Sequence, residues 1–280
     1  MSQRQHIAVT LPPEPSPQRK RATQSKRARR FAVRKPLTTR GLSVVLPAYN
    51  EEAVIAQTVQ HCEAVLGKIA PDYEILVVDD GSRDQTGAIC DALAARNPRV
   101  RVMHNATNRG YGGALIAGFG AATKELTFFM DADGQFDIAD LVALLPLREQ
   151  GYRAILGYRK RRQDAFLRLV NAWGWKLLVS ALFGLRVRDV DCAFKVYDTA
   201  LVRALDVRAV GAMVNTEMLV KLNRLGVPYV EVPVHHLPRQ HGKATGANLR
   251  VIVHAFRELL RLHGKLRSWS AELPPEAQAM

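Results

Sequence analysis

The chain has 280 residues, of which 48% are hydrophobic, so it can fold an α/β domain of roughly 200 residues with a large core. This composition excludes a chain that is disordered throughout. The formal net charge of +14 is concentrated in residues 1–40, which carry eleven basic residues and one acidic residue. The 3 scattered cysteines exclude a disulfide framework and a zinc knuckle, and they are typical of a reducing compartment.

Residues 1–40 are predicted to form a disordered basic tail, because the segment is rich in proline and charge and poor in core-forming residues. It lacks the apolar stretch of a secretory signal. An anionic membrane surface is the favoured partner, because the ordered part of the chain contains a second segment typical of membrane binding, described below. Nucleic acid is the less favoured partner. In the third interpretation the tail has no partner, and its charge merely keeps it solvated.

Strands and helices alternate in the first half of the ordered chain. Short apolar runs predict buried strands at 42–47, 73–78, 100–104 and 126–130. Periodic apolar residues and stop signals predict helices at about 51–66, 84–95 and 114–122. This alternation predicts an α/β fold, a doubly wound and mostly parallel sheet with helices on both faces.

Polar residues follow three of these strands. They are Tyr49 and Glu51, Asp79 and Asp80, and Asp131 and Asp133. Ligands of such sheets bind beyond the carboxyl ends of the strands, so three segments are expected to converge on one crevice. Carboxylates one residue apart suit Mg²⁺ or Mn²⁺, which also bind phosphate oxygens. An acidic surface turn is the alternative for the last pair alone, and the convergence favours the metal.

The glycine-rich stretch 108–114 precedes the third helix and allows two interpretations. It could hold a phosphate at the helix N-terminus, or its glycines could allow the helix to pack tightly on the sheet. It matches neither the P-loop nor the dinucleotide-binding pattern, which argues against both of those sites.

In the second half, helices are predicted at 138–150 and 216–225, a strand at 153–156 and an edge strand at 229–234. The apolar segment 167–185 contains Trp173 and Trp175, but Asn171 and Lys176 interrupt it. We expect it to form one or two helices at a membrane interface, with a buried core helix as the alternative. Residues 249–269 alternate apolar and basic side chains, which is typical of an amphipathic helix that binds a membrane surface or a partner.

A metal site at His235, His236 and His241 is not favoured, because adjacent residues of a strand point to opposite faces.

Six motifs occur in a characteristic order and spacing. They are PAYNE (47–51), VVDDGS (77–82), NRGYGGAL (108–115), MDADGQ (130–135), GYR (157–159) and RDVDCAFKVY (188–197). Over about residues 42–245 the chain resembles a family 2 glycosyltransferase with the GT-A fold. Within that family it is similar to the dolichyl- or polyprenyl-phosphate mannose or glucose synthases. The domains are then the tail at 1–40, a GT-A domain at 41–245, and an amphipathic helix and tail at 246–280.

The resemblance implies an enzyme, a metal-dependent and inverting hexosyltransferase. It would transfer a hexose from GDP-mannose or UDP-glucose to a polyprenyl phosphate, with the protein bound peripherally to the cytoplasmic face of the membrane. Several similar proteins continue into transmembrane helices, which this sequence does not, so a membrane-protein partner is an alternative anchor.

The resemblance also assigns roles to residues. The nucleotide-sugar would be bound by Pro47, Tyr49, Glu51, Asp79, Asp80, Asp131, Ala132 and Asp133. Mg²⁺ or Mn²⁺ would be bound by Asp131, Asp133 and Gln135. Catalysis would depend on Asp133, Arg159, Asp189 and Lys195, and the acceptor phosphate would be bound by Arg159, Arg239 and Lys243.

A phosphate acceptor is already ionised near neutral pH, so positioning by cations matters more than a strong base. Two alternatives stay open. One is a family 2 enzyme that acts on a hydroxyl, with Glu217 as the candidate base. The other is a non-catalytic GT-A binding module.

Overall fold

The structure, a computed structural model, describes residues 36–160, 174, 177–238, 249–267 and 269, without the side chains of 249–255. Its centre is a seven-stranded sheet with the order β3-β2-β1-β4-β6-β5-β7. The strands are β1 (Leu42–Ala48), β2 (Tyr73–Asp79), β3 (Val100–His104), β4 (Leu126–Met130), β5 (Ala154–Arg159), β6 (Phe194–Asp198) and β7 (Tyr229–Val234).

The first four strands form a parallel half-sheet, in which β1 pairs with β2 and β4, and β2 pairs with β3. Helices α1 (Ile55–Ile69), α2 (Thr86–Arg96) and α3 (Tyr111–Ala121) connect them. Every residue of β2 and β4 is buried, which explains why these strands read as continuous apolar runs instead of alternating patterns. The predicted α/β fold with a mostly parallel sheet is confirmed.

Strand β6 runs antiparallel to both of its neighbours, β4 and β5. Met130 at the end of β4 lies opposite Phe194 at the beginning of β6. The loop that precedes β6 therefore reaches the same sheet edge as the carboxyl ends of β4 and β5. The sequence predicted neither this strand nor its direction, and both determine which residues meet at that edge.

The second half also contains a 3₁₀ turn (Ile138–Asp140), α4 (Leu141–Arg148), α5 (Thr199–Ala204), α6 (Val214–Arg224) and α7 (Leu249–Arg267). The helix predicted at 138–150 is thus a 3₁₀ turn followed by a shorter helix. Strand β7 lies at the sheet edge, as predicted. In the segment predicted as one or two interface helices, residues 177–183 are helical and Gly184 follows with a positive φ of 68°.

Chain packing begins before Leu42, where the sequence placed the start of ordered structure. The Leu37 N–H donates to the Ile69 carbonyl oxygen at 2.9 Å, and Thr38 is buried. Arg40 pairs with Glu125 at 3.2 Å. Residues 37–40 therefore contact the domain, whereas the sequence predicts that they belong to the tail. Residues 1–35 lie outside the described part of the chain.

Helix α7 turns part of its apolar face inward. Leu259, Leu262 and Leu266 are buried, whereas Leu260 is 63% exposed. The Arg224 guanidinium on α6 donates to the Leu266 carbonyl oxygen, which fixes the end of α7 against α6. Among the described residues, no helix combines the length and hydropathy that a bilayer crossing requires.

Candidate functional site

The loops after β1 and β2 are joined by hydrogen bonds. The Asp80 N–H donates to the Ala48 carbonyl oxygen at 2.9 Å, and the Asn50 N–H donates to Ser82 Oγ at 3.0 Å. Asn50 accepts in turn from the Arg83 N–H at 2.8 Å. Its φ of 55° lies in the left-handed region, which asparagine tolerates better than most residues. The two loops therefore form one continuous wall at the carboxyl edge of the sheet.

Three of the residues predicted to bind the nucleotide lie on this wall. Pro47 and Glu51 are half-buried, and Tyr49 is exposed at 40% of its surface. The Glu51 N–H donates to Thr86 Oγ1 at 2.8 Å, which ties this loop to the beginning of α2. The backbone that carries Tyr49 is thus held in place by hydrogen bonds, and the Tyr49 ring exposes apolar surface to solvent.

The two adjacent aspartates at the end of β2 have different surroundings. Asp80 accepts hydrogen bonds from Asn105 Nδ2 at 2.7 Å and from the N–H groups of Arg109 and Gly110, both at 2.9 Å. Its carboxylate therefore holds the loop before α3. Asp79 accepts from the Ser82 N–H at 3.0 Å and has His104 Nδ1 at 2.9 Å.

Burial alone would raise the pKa of Asp79, but its hydrogen bonds with Ser82 and His104 outweigh burial and lower the pKa below its usual value. Asp79 is therefore an ionised acceptor at neutral pH.

The glycine-rich stretch accommodates a neighbouring loop. The Gly113 N–H donates to the Val210 carbonyl oxygen at 3.0 Å. A Cβ at Gly112 would lie 2.1 Å from the Ala209 carbonyl oxygen. The N–H groups of Arg109 and Gly110 donate to Asp80, so three N–H groups of this stretch are bonded to protein, which argues against the phosphate-cradle interpretation. Helix-on-sheet packing occurs one turn later, where a Cβ at Gly118 would lie 2.3 Å from Val45 Cγ1.

We expect Gly112→Ala to destabilise the fold by about 1–3 kcal/mol, because the added methyl group would overlap backbone atoms that cannot move aside independently. Gly120→Ala in the same helix is the matched control, since a Cβ there meets nothing within 4 Å. That control should be neutral or stabilising by up to about 1 kcal/mol. Urea unfolding of both variants measures the difference, and equal stabilities would contradict the packing described for Gly112.

Asp131 and Asp133 follow β4 and are both half-buried, with Ala132 buried between them. The Ala132 carbonyl oxygen accepts from Thr58 Oγ1 at 3.1 Å, and Asp133 Oδ1 accepts from the Gln135 N–H at 3.0 Å. These bonds fix the backbone of the loop.

Shielding from solvent and the nearby charge of Asp133 raise the pKa of Asp131 to about 7. The Tyr111 hydroxyl, Arg159 and Lys195 act in the opposite direction without cancelling the rise. Asp131 therefore holds its proton more tightly than an exposed aspartate does.

This pair of aspartates suits a divalent cation. Carboxylate oxygens are the hard ligands that Mg²⁺ and Mn²⁺ prefer. Among the described residues no group of three or more His, Cys, Asp or Glu side chains could hold a metal ion. Within the described part of the chain, a third protein ligand would be of another type. The Gln135 amide lies in the same loop, with its Nε2 donating to the Leu237 carbonyl oxygen at 3.1 Å.

Arg159 and Asp189 form a two-pronged ion pair at this edge. Arg159 Nε lies 2.7 Å from Asp189 Oδ2, and Nη2 lies 2.8 Å from Oδ1. Arg159 ends β5, while Asp189 lies in the loop before β6, so the antiparallel direction of β6 brings them together. The positive charge of Arg159 partly offsets the rise in the pKa of Asp131.

Lys195 lies behind the site and is fully buried. Its Nζ donates to Asn215 Oδ1 at 2.9 Å, to the Val190 carbonyl oxygen at 3.2 Å and to the Cys192 carbonyl oxygen. Two of these hydrogen bonds hold the loop that carries Asp189, and the third joins Lys195 to Asn215 on α6. Burial lowers the pKa of Lys195, and its charge acts on Asp131 through the protein.

Glu217 on α6 is bound by other protein groups. Its carboxylate is buried, pairs with Lys221 at 2.6 Å and accepts from the N–H groups of Arg208 and Ala209. Glu217, the candidate base if the acceptor is a hydroxyl, is thus engaged by Lys221 and by two backbone N–H groups in this structure. Arg239 and Lys243, predicted to bind the acceptor phosphate, lie outside the described residues, as does His241.

Three residues that contribute to this edge were not predicted: Tyr111 beside Asp131, Asn215 beneath Lys195, and His104 beside Asp79. Tyr111 lies within the motif NRGYGGAL and could have been proposed from it. Asn215 and His104 act through contacts between segments distant in sequence, and no local pattern indicates them.

The chain is similar in sequence to known glycosyltransferases. Residues 43–210 match the model of glycosyl transferase family 2. An undecaprenyl-phosphate 4-deoxy-4-formamido-L-arabinose transferase from Enterobacter sp. (strain 638) is 29% identical over 216 residues, 75% of this chain and 64% of that protein. The protein of the same name from Pseudomonas fluorescens is 30% identical over 223 residues, 78% of this chain and 64% of that protein. The chain thus spans less than two thirds of the length of these curated relatives.

Solved structures share the fold at lower identity. Glucosyl-3-phosphoglycerate synthase from Mycobacterium tuberculosis, in complex with Mn²⁺, UDP and glucosyl-3-phosphoglycerate, superposes with a TM-score of 0.61 at 22% identity, covering 80% of both chains. Mannosyl-3-phosphoglycerate synthase from Rubrobacter xylanophilus gives a TM-score of 0.60 at 21% identity, covering 81% of this chain and 74% of that one. These likenesses confirm the fold class expected from the motifs.

Proposed function

Because the chain belongs to glycosyl transferase family 2, we propose that it transfers a sugar from a nucleotide-sugar to the phosphate of a polyprenyl phosphate. The proposed donor is UDP-glucose or GDP-mannose, and the proposed reaction inverts the anomeric carbon. The observation that carries this proposal is the meeting of two charged pairs at one sheet edge. These are the half-buried Asp131 and Asp133 carboxylates, where burial and the charge of Asp133 raise the pKa of Asp131, and the Arg159–Asp189 ion pair.

On the donor side, the wall formed by the loops after β1 and β2 would bind the nucleoside. The Tyr49 ring offers a stacking surface, and the ionised Asp79 offers acceptors for polar hydrogens of the base or ribose. Pro47 and Glu51 complete this wall, and Asp80 shapes it by holding the loop before α3.

Asp131, Asp133 and Gln135 are the residues that would hold Mg²⁺ or Mn²⁺. When bound, the cation supplies charge stabilisation to the diphosphate leaving group. The neighbour of similar fold that is crystallised with Mn²⁺ and UDP supports this assignment.

On the acceptor side, a phosphate has its second pKa at about 6, so it is ionised at neutral pH and can attack without a base. Its oxygens need a fixed cation. The Arg159 guanidinium is held by Asp189 in a defined orientation, and a planar guanidinium suits phosphate oxygens. We propose that Arg239 and Lys243 complete the phosphate site.

The engagement of Glu217 favours a phosphate acceptor over a hydroxyl. A hydroxyl acceptor needs a base to remove its proton. Glu217, the base considered for that reaction, is committed to Lys221 and to two backbone N–H groups. Two carboxylates close to each other repel, and a bound cation would relieve that repulsion. A purely binding module has no need for such a pair.

The names of the curated relatives support the polyprenyl acceptor, since both give undecaprenyl phosphate. The test is a transfer assay with UDP- and GDP-sugars, including UDP-linked 4-deoxy-4-formamido-L-arabinose, against three acceptors: undecaprenyl phosphate, 3-phosphoglycerate and water. We expect a glycolipid product from one donor. Transfer to 3-phosphoglycerate alone would show that the acceptor is this small phosphate and not polyprenyl phosphate. Donor hydrolysis without a lipid product would show that polyprenyl phosphate is not the acceptor.

We further propose that the protein acts while bound peripherally to the cytoplasmic membrane face, with α7 lying against anionic lipid. The outer side of α7 exposes Arg257, Arg261 and Lys265 next to Leu260. A basic residue near an anionic surface contributes about 1 kcal/mol to binding.

Reversing all three charges should therefore lower partitioning onto vesicles containing phosphatidylglycerol by about 10²-fold. Lys68→Glu, at an exposed position on α1, is the control and should change partitioning much less. Sedimentation with vesicles measures both, and equal binding of the two variants would contradict the role of α7.

A further inference from the structure

His104 ends β3 and lies opposite Asp79 in the sheet register. Its Nδ1 is 2.9 Å from Asp79 Oδ2, and its Nε2 is 3.0 Å from Asp91 Oδ1 on α2. The imidazole thus bridges two carboxylates from different elements. Only the first of them belongs to the wall described above.

The bridge is asymmetric. The Asp79 side chain is 8% exposed, whereas those of His104 and Asp91 are 44% and 64% exposed. Hydrogen bonds to Asp79 and then to Asp91 raise the pKa of His104, which favours the form in which both ring nitrogens donate. The Cys90 thiol nearby stays neutral, because burial and these carboxylates raise its pKa to about 12.

Helix α2 leaves room for this arrangement at Gly87. A Cβ at that position would lie 2.9 Å from Asp79 Oδ2 and 3.4 Å from His104 Cε1. These are side-chain atoms, so an added methyl group would displace the carboxylate and leave the backbone in place. Glycine at residue 87 allows the Asp79–His104 contact to form beneath α2.

The Ser82 N–H donates to Asp79 Oδ1, and His104 Nδ1 lies within hydrogen-bond distance of Oδ2. A carboxylate oxygen can accept more than one hydrogen bond, so both retain acceptor capacity. The two donors fix the plane of the carboxylate and therefore the direction of its remaining lone pairs.

We infer that His104 is a positioning residue for nucleotide recognition, which holds Asp79 so that its remaining lone pairs accept an N–H of the base. The inference rests on the proposed function, in which Asp79 faces the nucleoside. The ligand class is a nucleoside diphosphate whose base carries an imino N–H, as uracil and guanine do. Asp91 acts through His104 and keeps the ring in place.

The test is isothermal titration of the full chain with UDP and Mg²⁺, compared with inorganic pyrophosphate and Mg²⁺. His104→Leu should weaken UDP binding about fivefold to tenfold, the effect of one charge-assisted hydrogen bond reduced by partial exposure. Pyrophosphate binding should stay unchanged, because it has no base. His104→Asn places an amide donor near the position of Nδ1 and should restore most of the UDP affinity.

Gly87→Ala provides a second variant that leaves His104 in place. It should also weaken UDP binding selectively, and Gly67→Ala on α1, where a Cβ meets nothing within 4 Å, is its control. Unchanged UDP affinity in His104→Leu and Gly87→Ala, or equal losses for UDP and pyrophosphate, would overturn the inference while leaving the proposed function intact. A wild-type protein that binds neither UDP nor GDP would overturn both.

Discussion

Asp133→Asn is expected to lower sugar transfer by at least about 10³-fold, which corresponds to about 4 kcal/mol of lost charge stabilisation. The substitution removes one of the two carboxylates that would hold the cation. It keeps the shape of the side chain, and the amide oxygen can still accept from the Gln135 N–H, which lies 3.0 Å from Asp133 Oδ1. The loop should therefore keep its fold.

The loss has to be separated from unfolding. Asp72→Asn is the matched control, because Asp72 is an exposed aspartate whose partner is Lys124, 2.6 Å away. Surface substitutions of this kind change stability by about 0.5 kcal/mol or less. Transfer rates and thermal melts of both variants decide the matter. An Asp133→Asn protein that melts like wild type and transfers sugar at the wild-type rate would show that this carboxylate has no part in catalysis.

Arg159→Lys should have the second large effect, a fall in kcat of about 10²-fold. Lysine keeps the positive charge but not the planar fork that makes two hydrogen bonds with Asp189. The cation would then lose its fixed direction toward the acceptor phosphate, and loss of one preorganised charge-stabilising contact costs about 10²-fold or more. Donor affinity should change little, because Arg159 is assigned to the acceptor side.

Arg101→Lys is the control for this exchange. Arg101 also pairs with a carboxylate, Glu74, at 2.6 Å, but Glu74 lies near the amino end of β2, away from the site edge. Steady-state kinetics with varied donor and varied acceptor separate the two sides. If Arg159→Lys raises KM for the donor and leaves kcat unchanged, the assignment of Arg159 to the acceptor is wrong.

The parallel half of the fold could be predicted because its strands are buried on both faces. Such strands read as continuous apolar runs, and the helices between them leave little freedom in topology. The convergence of the loops after β1, β2 and β4 follows from that topology alone. The position of Asp79, Asp131 and Asp133 at one sheet edge can therefore be predicted from the sequence.

The direction of β6 could not be predicted in the same way. Its five residues, FKVYD, mix apolar and charged side chains. Nothing in this local pattern indicates that the strand runs antiparallel to β4 and β5. That direction is a property of the assembled sheet. It determines that Asp189 meets Arg159 and that Lys195 points beneath the site.

Two side-chain pairings differ in whether the local sequence predicts them. Glu217 and Lys221 are separated by four residues on a helix, a spacing at which opposite charges meet, so their pairing could have been predicted from the sequence. The pairing of Lys195 with Asn215 joins two segments twenty residues apart and depends on tertiary packing. The first removes a candidate base, and the second places a buried cation near Asp131.

The most direct test of the central claim is incorporation of labelled sugar from UDP- and GDP-sugars into undecaprenyl phosphate, with Mn²⁺ or Mg²⁺ and with EDTA. The proposed function predicts an organic-extractable sugar phospholipid that forms with the cation and is absent with EDTA. Formation of the same product at an undiminished rate in EDTA would contradict the metal role of Asp131 and Asp133. No product from any donor, in folded protein, would contradict the proposed transfer.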